Sequence, residues 1–344
     1  MNQDTYFSVK FVPKNSSSEK DKLIFLDQTR LPLEEIYVES DSYERISVAI
    51  ERLEVRGAPL IGICAAYALA LSLQDVDRNV EDVFNTAYDR IHSTRPTAVN
   101  LFFALDYLKN EFETLADKTK AYEHLLNKAK EIHEKDIEYC RKMGLNGLSI
   151  FKKKSVVLTH CNTGKLATGG DGTAFSVIKT AFENGLVSFV YADETRPLLQ
   201  GLRLTAFELD KCRIPFAVQS DSSAAVLLEQ KKVDVVITGA DRIALNGDSA
   251  NKIGTYALAL LSYHHNIPFY IAAPSSTIDK NISSGKEIKI EYRDKSELMK
   301  IKNIDITLPH YEAFMPAFDV TPAHLITGII TEEGVYNFPY NFLK

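Results

Sequence analysis

Between residues 42 and 143 apolar side chains recur at three- and four-residue intervals, the period of helices buried along one face. Over 42–55 the repeat puts Ile46, Ala49, Ile50 and Leu53 on one side. Further helices are expected over 58–73, 80–92, 98–113 and 118–143, the last amphipathic and highly charged. Residues 6–12 and 23–26 instead alternate or cluster apolar positions around the polar stretch 15–18, as a small hairpin or sheet would. Gly144 and Gly147 interrupt the helical pattern, so the domain boundary is placed there, giving domains 1–146 and 147–344.

The pattern then changes. Short β-branched runs appear at 155–159, 187–191, 215–219, 234–238 and 268–272, separated by helical spacing such as 173–183 and 252–264. Strand–helix–strand at this rhythm predicts βαβ units and a parallel sheet covered on both faces. The fold class is therefore α/β: a mostly helical N-terminal domain with a small β element, then a Rossmann-like parallel-sheet domain. In such sheets ligands sit beyond the carboxyl ends of the strands.

Composition narrows the function. With 344 residues and 45% hydrophobic content the chain can bury a sizeable core, and 25% charged residues is ordinary for a folded protein. A net charge of -6 argues against a nucleic-acid or membrane-surface role, although a locally positive pocket for a small anion stays open. The most apolar stretch, 58–73, contains Pro59, Gly62 and Tyr67 and is too short to span a bilayer. The polar N-terminus lacks the apolar core of a signal peptide. Cys64, Cys140, Cys161 and Cys212 form no CxxC pair, and the histidines show neither HxxxH nor HExxH spacing. Reduced thiols in a cytoplasmic protein without a zinc site are the expectation.

Four clusters can carry chemistry, each falling at the end of a strand or the mouth of a helix. His160-Cys161-Asn162-Thr163-Gly164 follows an apolar strand, and Gly169-Gly170-Asp171-Gly172-Thr173 opens the next helix. A cysteine so placed suits acid, base or nucleophile work, yet it equally fits an inert core thiol. Gly239-Ala240-Asp241-Arg242 offers Asp241 for proton transfer, or for a helix cap or ion pair; Asn251 and Lys252 are expected at a helix start. Arg56-Gly57-Ala58-Pro59 and Arg95-Pro96-Thr97-Ala98-Val99-Asn100 each put an arginine at a helix mouth with proline near the first turn, an arrangement that suits a phosphate dianion or simply a pair of surface arginines near good caps; two of them in one chain lean towards phosphate. Asp193-Glu194-Thr195-Arg196-Pro197-Leu198-Leu199-Gln200-Gly201 can grip sugar hydroxyls or build a structural network.

In this order, and with Asp319-Val320-Thr321-Pro322 near the end, these strings resemble the methylthioribose-1-phosphate isomerases of methionine salvage, from about residue 22 onward. The wider family also holds ribose-1,5-bisphosphate and 5-deoxyribose-1-phosphate isomerases and non-enzymatic regulatory subunits of the translation initiation exchange factor. The resemblance implies a helical domain joined to a Rossmann-like one, a homodimer, and no metal or organic cofactor. It assigns the catalytic pair to Cys161 and Asp241, and phosphate and sugar contacts to Arg56, Gly57, Ala58, Arg95, Gln200, Asn251 and Lys252. The regulatory subunits generally lack the cysteine–aspartate pair, so its presence favours an enzyme acting on a small phosphorylated sugar. Asp171, Ser222-Ser223 and Met315-Pro316 depart from the usual pattern and leave the substrate's 5-substituent open between methylthio, methyl and something more polar.

Overall fold

The computed structural model describes residues 6–14, 20–76, 78–95, 99–301 and 304–342. Pro96, Thr97 and Ala98 of the second arginine motif lie outside them. The chain divides into two compact units, Met1–Glu138 with Lys165–Gly172, and Tyr139–Gly164 with Thr173–Lys344.

In the first unit, β1 (Val9–Val12), β2 (Lys22–Leu26) and β3 (Tyr37–Ser40) form an antiparallel sheet in chain order. β2 pairs Phe25 with Val9 on one side and Val38 on the other, and buries Leu23 and Phe25 on one face. The sequence pattern missed β3 because Tyr-Val-Glu-Ser carries little apolar content and two of its four side chains are exposed.

Four helices follow: α1 (Tyr43–Glu51), α2 (Ala58–Leu71), α3 (Val80–His92) and α4 (Val99–Thr114). α1 is shorter than the repeat predicted, because Leu53 turns the chain with φ 60°. The Ser42 hydroxyl caps its start by accepting the Arg45 amide at 3.4 Å. α2 is the centre of this unit, with every residue from Leu60 to Leu71 buried. It packs on α4 so closely that a Cβ at Gly62 would lie 2.7 Å from the Asn100 carbonyl oxygen.

α5 (Ala121–Gly147) does not break at Gly144 as the pattern suggested. A Cβ at Gly144 would meet Thr180 Oγ1 at 2.5 Å, and one at Gly147 would meet Val177 Cγ1 at 2.5 Å. The two glycines therefore allow α5 to approach a neighbouring helix, at the usual cost of about 1 kcal/mol each relative to alanine.

The second unit holds, in chain order, β4 (Ser155–Thr159), α6 (Ala174–Glu183), β5 (Val187–Asp193), α7 (Ala206–Lys211), β6 (Phe216–Gln219), α8 (Ala224–Glu229) and β7 (Val235–Thr238). Then come β8 (Arg242–Ala244), β9 (Ser249–Lys252), α9 (Thr255–His264), β10 (Phe269–Ala272) and β11 (Ile278–Asp279). The chain ends with α10 (Ser296–Met299), the hairpin β12 (Lys300–Ile301) and β13 (Ile304–Asp305), β14 (Phe318–Thr321), β15 (Gly328–Ile330) and β16 (Val335–Asn337).

The main sheet runs β16-β15-β10-β7-β4-β5-β6, parallel throughout except for β16. Alternate residues of its strands serve opposite faces. Leu158, Val236 and Ile271 pack with Leu228, Leu258 and Ala259 from α8 and α9. Val157, Val235 and Ile237 pack with Phe175, Val177 and Ile178 from α6. A sheet buried on both faces explains the short, nearly continuous apolar runs. A second sheet, β11-β8-β9-β14, was not anticipated, since its strands are two to four residues long and rich in polar groups. No helix among the described residues is long and apolar enough to cross a membrane.

Candidate active site

The order of the main sheet reverses at β4. The chain moves from β4 to β5 and β6 on one side, then returns to lay β7 on the other. Crevices open at the carboxyl ends of strands where the winding reverses in this way. β4 ends at Thr159 and is followed directly by His160 and Cys161; β7 ends at Thr238 and is followed by Gly239, Ala240 and Asp241. The Thr159 hydroxyl donates to the Ile237 carbonyl at 2.8 Å, tying the two strand ends together. Cys161 and Asp241 thus issue from adjacent strands on the side where the fold accepts ligands.

The Cys161 turn is rigidly built. Cys161 has φ 67°, a left-handed conformation that a side chain disfavours. Its backbone N–H donates to Thr195 Oγ1 at 2.8 Å, and its carbonyl accepts from Thr205 Oγ1 at 2.6 Å. Gln200 is fully buried and its amide nitrogen reaches the Cys161 sulfur at 3.4 Å. The buried Gln200 carbonyl oxygen takes no hydrogen bond from the described residues. Gln200 leads directly into a π-helical turn, Gly201–Thr205, an irregularity common at functional sites and invisible in the sequence pattern.

Asp241 is exposed, and its backbone N–H is fixed to the Ala250 carbonyl at 2.9 Å. It lies between β7 and β8 rather than at a helix start, and the neighbouring Arg242 pairs with Asp279 at 3.8 Å. Asn251 and Lys252 close β9, not the helix mouth the sequence suggested; α9 begins three residues later, at Thr255. The polar spacing resembles a capped helix start, but β9 pairs with β14 from Ser249 through Lys252, and those backbone bonds fix it as strand. Buried Asn251 donates to Thr255 Oγ1 at 3.0 Å, and Lys252 Nζ lies 4.6 Å from the centre of the Phe318 ring. Asp319 accepts the Gly254 and Tyr256 amides at 2.7 and 3.0 Å and so caps α9.

Behind Cys161 lies a buried polar network. His160 Nδ1 is 3.0 Å from Asp193 Oδ2, and Nε2 donates to the Ile253 carbonyl at 2.9 Å. Asp193 also accepts Gln219 Nε2 at 2.8 Å. Burial alone would disfavour an imidazolium here, but the Asp193 hydrogen bond and charge outweigh it, and His160 is pushed up to about 9. His160, Asp193 and Asp221 are close enough to hold a cation. Both ring nitrogens are already bonded, however, and the Asp221 oxygens accept the Thr195 and Arg196 amides, each at 2.8 Å. The cluster is knit as a hydrogen-bond network. His160 and Asp193 were present in the strings singled out from the sequence, but Asp221 was not, and the pairing of the three across three strand ends was not legible there.

The remaining predicted residues lie in the first unit. Gly57 is the N-cap of α2, with φ 93° and no room for a Cβ against the Ala167 backbone; Ala58 and Pro59 open the helix. Arg56 directly precedes that cap, and Arg95 follows the end of α3 shortly before α4. Gly62, in the second turn of α2, packs on Asn100 in the first turn of α4, so the N-terminal halves of the two helices are neighbours within this unit. The Gly-rich segment is held here as well: Asp136 Oδ2 accepts the Gly169 amide at 2.6 Å, and His133 Nε2 sits 3.4 Å from the Gly169 carbonyl.

Residues 54–338 match the initiation factor 2 subunit family. The chain is 49% identical over 329 residues to a methylthioribose-1-phosphate isomerase of Carboxydothermus hydrogenoformans, covering 93% of this chain and 95% of that one. The crystal structure of 5-methylthioribose 1-phosphate isomerase from Pyrococcus horikoshii OT3 superposes with a TM-score of 0.90 at 38% identity, covering 98% and 94% of the two chains. The translation initiation factor eIF-2B subunit delta from A. fulgidus gives 0.87, also at 38% identity, covering 98% and 97%. On these grounds, and with the strand-end cysteine and aspartate in place, the chain belongs to the initiation factor 2 subunit family, alongside its methylthioribose-1-phosphate isomerases.

Proposed function

We propose that the protein is an aldose–ketose isomerase converting 5-methylthioribose 1-phosphate into 5-methylthioribulose 1-phosphate, a step of methionine salvage. The observation carrying this reading is that Cys161 and Asp241 leave neighbouring strands at the reversal of the sheet, with the Gln200 amide on the Cys161 sulfur. A sugar phosphorylated on its anomeric carbon cannot open to a free aldehyde. Ring opening therefore needs an acid at the ring oxygen and a base at the 2-hydroxyl.

In our scheme Asp241 protonates the ring oxygen as its bond to C1 breaks, and Cys161 takes the 2-hydroxyl proton. A hydrogen moves from C2 to C1, leaving the ketone at C2. Each positioned acid or base contributes on the order of 10²–10⁴ in rate. Arg56, Gly57, Ala58 and Arg95 are assigned to the phosphate, and Gln200, Asn251 and Lys252 to the sugar. Substrate deuterated at C2 separates the two routes for the hydrogen. Retention at C1 marks a hydride shift, which a water-poor site favours, and loss to solvent marks an enediol.

Turnover of 5-methylthioribose 1-phosphate and 5-deoxyribose 1-phosphate, measured side by side, tests the assignment. Turnover by the wild type, abolished in Cys161→Ala and Asp241→Asn, is expected, and the faster substrate identifies the 5-substituent. Failure on both moves the assay to ribose 1,5-bisphosphate.

The likeness to the A. fulgidus subunit favours a second reading, a non-catalytic regulatory subunit, which predicts no turnover of any of the three and stable association with a larger complex. A cytoplasmic homodimer belongs to the isomerase reading. α9 offers an exposed stripe of Tyr256, Leu260 and Tyr263 for self-association, and gel filtration tests it.

A further inference from the structure

Two threonines hold the backbone of Cys161 from opposite sides. Thr195 and Thr205 are 0% and 2% exposed, and neither was among the residues assigned a role. Thr195 Oγ1 accepts the Cys161 amide at 2.8 Å while donating to the Asp193 carbonyl at 3.2 Å, so the direction of its hydroxyl is set. Thr195 is itself left-handed, with φ 61°, and its own amide is held by Asp221 Oδ1 at 2.8 Å. On the other side, Thr205 Oγ1 donates to the Cys161 carbonyl at 2.6 Å. Asn162 Nδ2 lies 3.4 Å from that hydroxyl and 2.5 Å from the fully buried Glu208 carboxylate.

A cysteine at φ 67° relaxes toward an ordinary conformation unless its surroundings over-determine it. Relaxation would swing the sulfur away from the Gln200 amide, which it meets at 3.4 Å. We propose that Thr195 and Thr205 are positioning residues for the reaction. They clamp the N–H and C=O of Cys161 in the strained conformation that aims its thiol at the Gln200 amide. The clamp deepens the isomerase reading and rests on it for its kinetic arm.

The test compares Thr195→Val and Thr205→Val, which keep side-chain shape but remove the hydroxyl, with the serine variants, which keep the hydroxyl. Expected for the valine variants is a kcat lower by about 10- to 100-fold, the scale of a small misplacement of a reacting group, with KM for 5-methylthioribose 1-phosphate within about 3-fold. The serine variants restore kcat to within about 3-fold of wild type. In parallel, alkylation of Cys161 by iodoacetamide, followed by mass spectrometry of its peptide, changes by about 5-fold or more in the valine variants and returns in the serine ones. Cys212, read in the same digest, keeps its wild-type rate.

Valine variants with kcat and Cys161 alkylation both within 2-fold of wild type would overturn the clamp, as would serine variants impaired as much as the valine ones. Should the wild type fail to turn over any substrate, the isomerase reading falls and the alkylation arm alone decides the clamp. For a valine variant that does not fold, which a raised Cys212 rate reveals, the serine variant is set against Thr→Ala in the same alkylation assay. Protection by serine but not alanine supports the clamp, and equal behaviour refutes it.

Discussion

Replacing His160 by glutamine removes one half of a buried charge pair while leaving Asp193, 2% exposed, without its cationic partner. The Ile253 carbonyl can only accept, so His160 Nε2 carries a proton; burial pushes the Asp193 carboxyl up, while its hydrogen bonds to His160 and Gln219 favour the ionised form. An imidazolium in the folded state, pushed up to about 9 from an ordinary 6.5, stabilises the fold most below pH 6.5. That stabilisation is lost as pH rises through about 9. At about 1.36 kcal/mol per pH unit the interval amounts to about 3 kcal/mol. This agrees with the roughly 3–5 kcal/mol that breaking a buried ion pair costs.

Unfolding free energies from urea titrations at half-unit steps between pH 6 and 9.5 provide the assay, with His160→Gln subtracted from wild type to cancel other groups. The difference should be smaller at pH 9.5 than at pH 6 by about 3 kcal/mol, on top of an offset from the ring's lost hydrogen bonds to Ile253 and Asp193 that remains at high pH. A difference that stays flat across that range would refute the charged pair and leave His160 as a neutral hydrogen-bonding ring.

Gly57→Ala places a methyl against the Ala167 backbone at a φ of 93°, so thermal unfolding should shift down by an amount equivalent to about 2 kcal/mol or more; an unchanged midpoint would show that the two segments separate readily. Cys161→Gly should be more stable than Cys161→Ala by about 1 kcal/mol, because glycine carries no penalty at φ 67°, and equal midpoints would mean the turn is unstrained. Phe84→Ala removes a ring stacked on Phe112 with centroids 3.9 Å apart, and should cost about 3–5 kcal/mol of stability in denaturant titrations. A loss below about 1 kcal/mol would say that the gap between α3 and α4 closes.

The main elements were legible because their signals are local. α3 follows the predicted 80–92 span and β4 the predicted 155–159 span. Apart from the weakly apolar β3 and the turn at Leu53, what failed had a non-local cause. Gly144 and Gly147 read as punctuation because the helix they lean on is distant in sequence, and β8, β9 and β14 exist because they pair with one another. Cys161 and Asp241 could be singled out since strand ends announce themselves. Thr205 could not, because a threonine inside an irregular helical turn looks like any other until its hydroxyl is seen on the Cys161 carbonyl. The left-handed backbone of Cys161 is likewise unreadable from composition, since only glycine advertises that conformation.

The adjacency of β4 and β7 acts as a fixed gauge. Two hydrogen-bonded strands lie about 4.8 Å apart whatever their side chains, so the roots of the Cys161 and Asp241 turns keep their separation while surrounding residues drift. Mutation can rewrite the tips of those turns without re-tooling the distance between them. A frame of this kind tolerates exchange of its chemistry, which fits its sharing, at the same 38% identity, between chains described as an isomerase and as a translation factor.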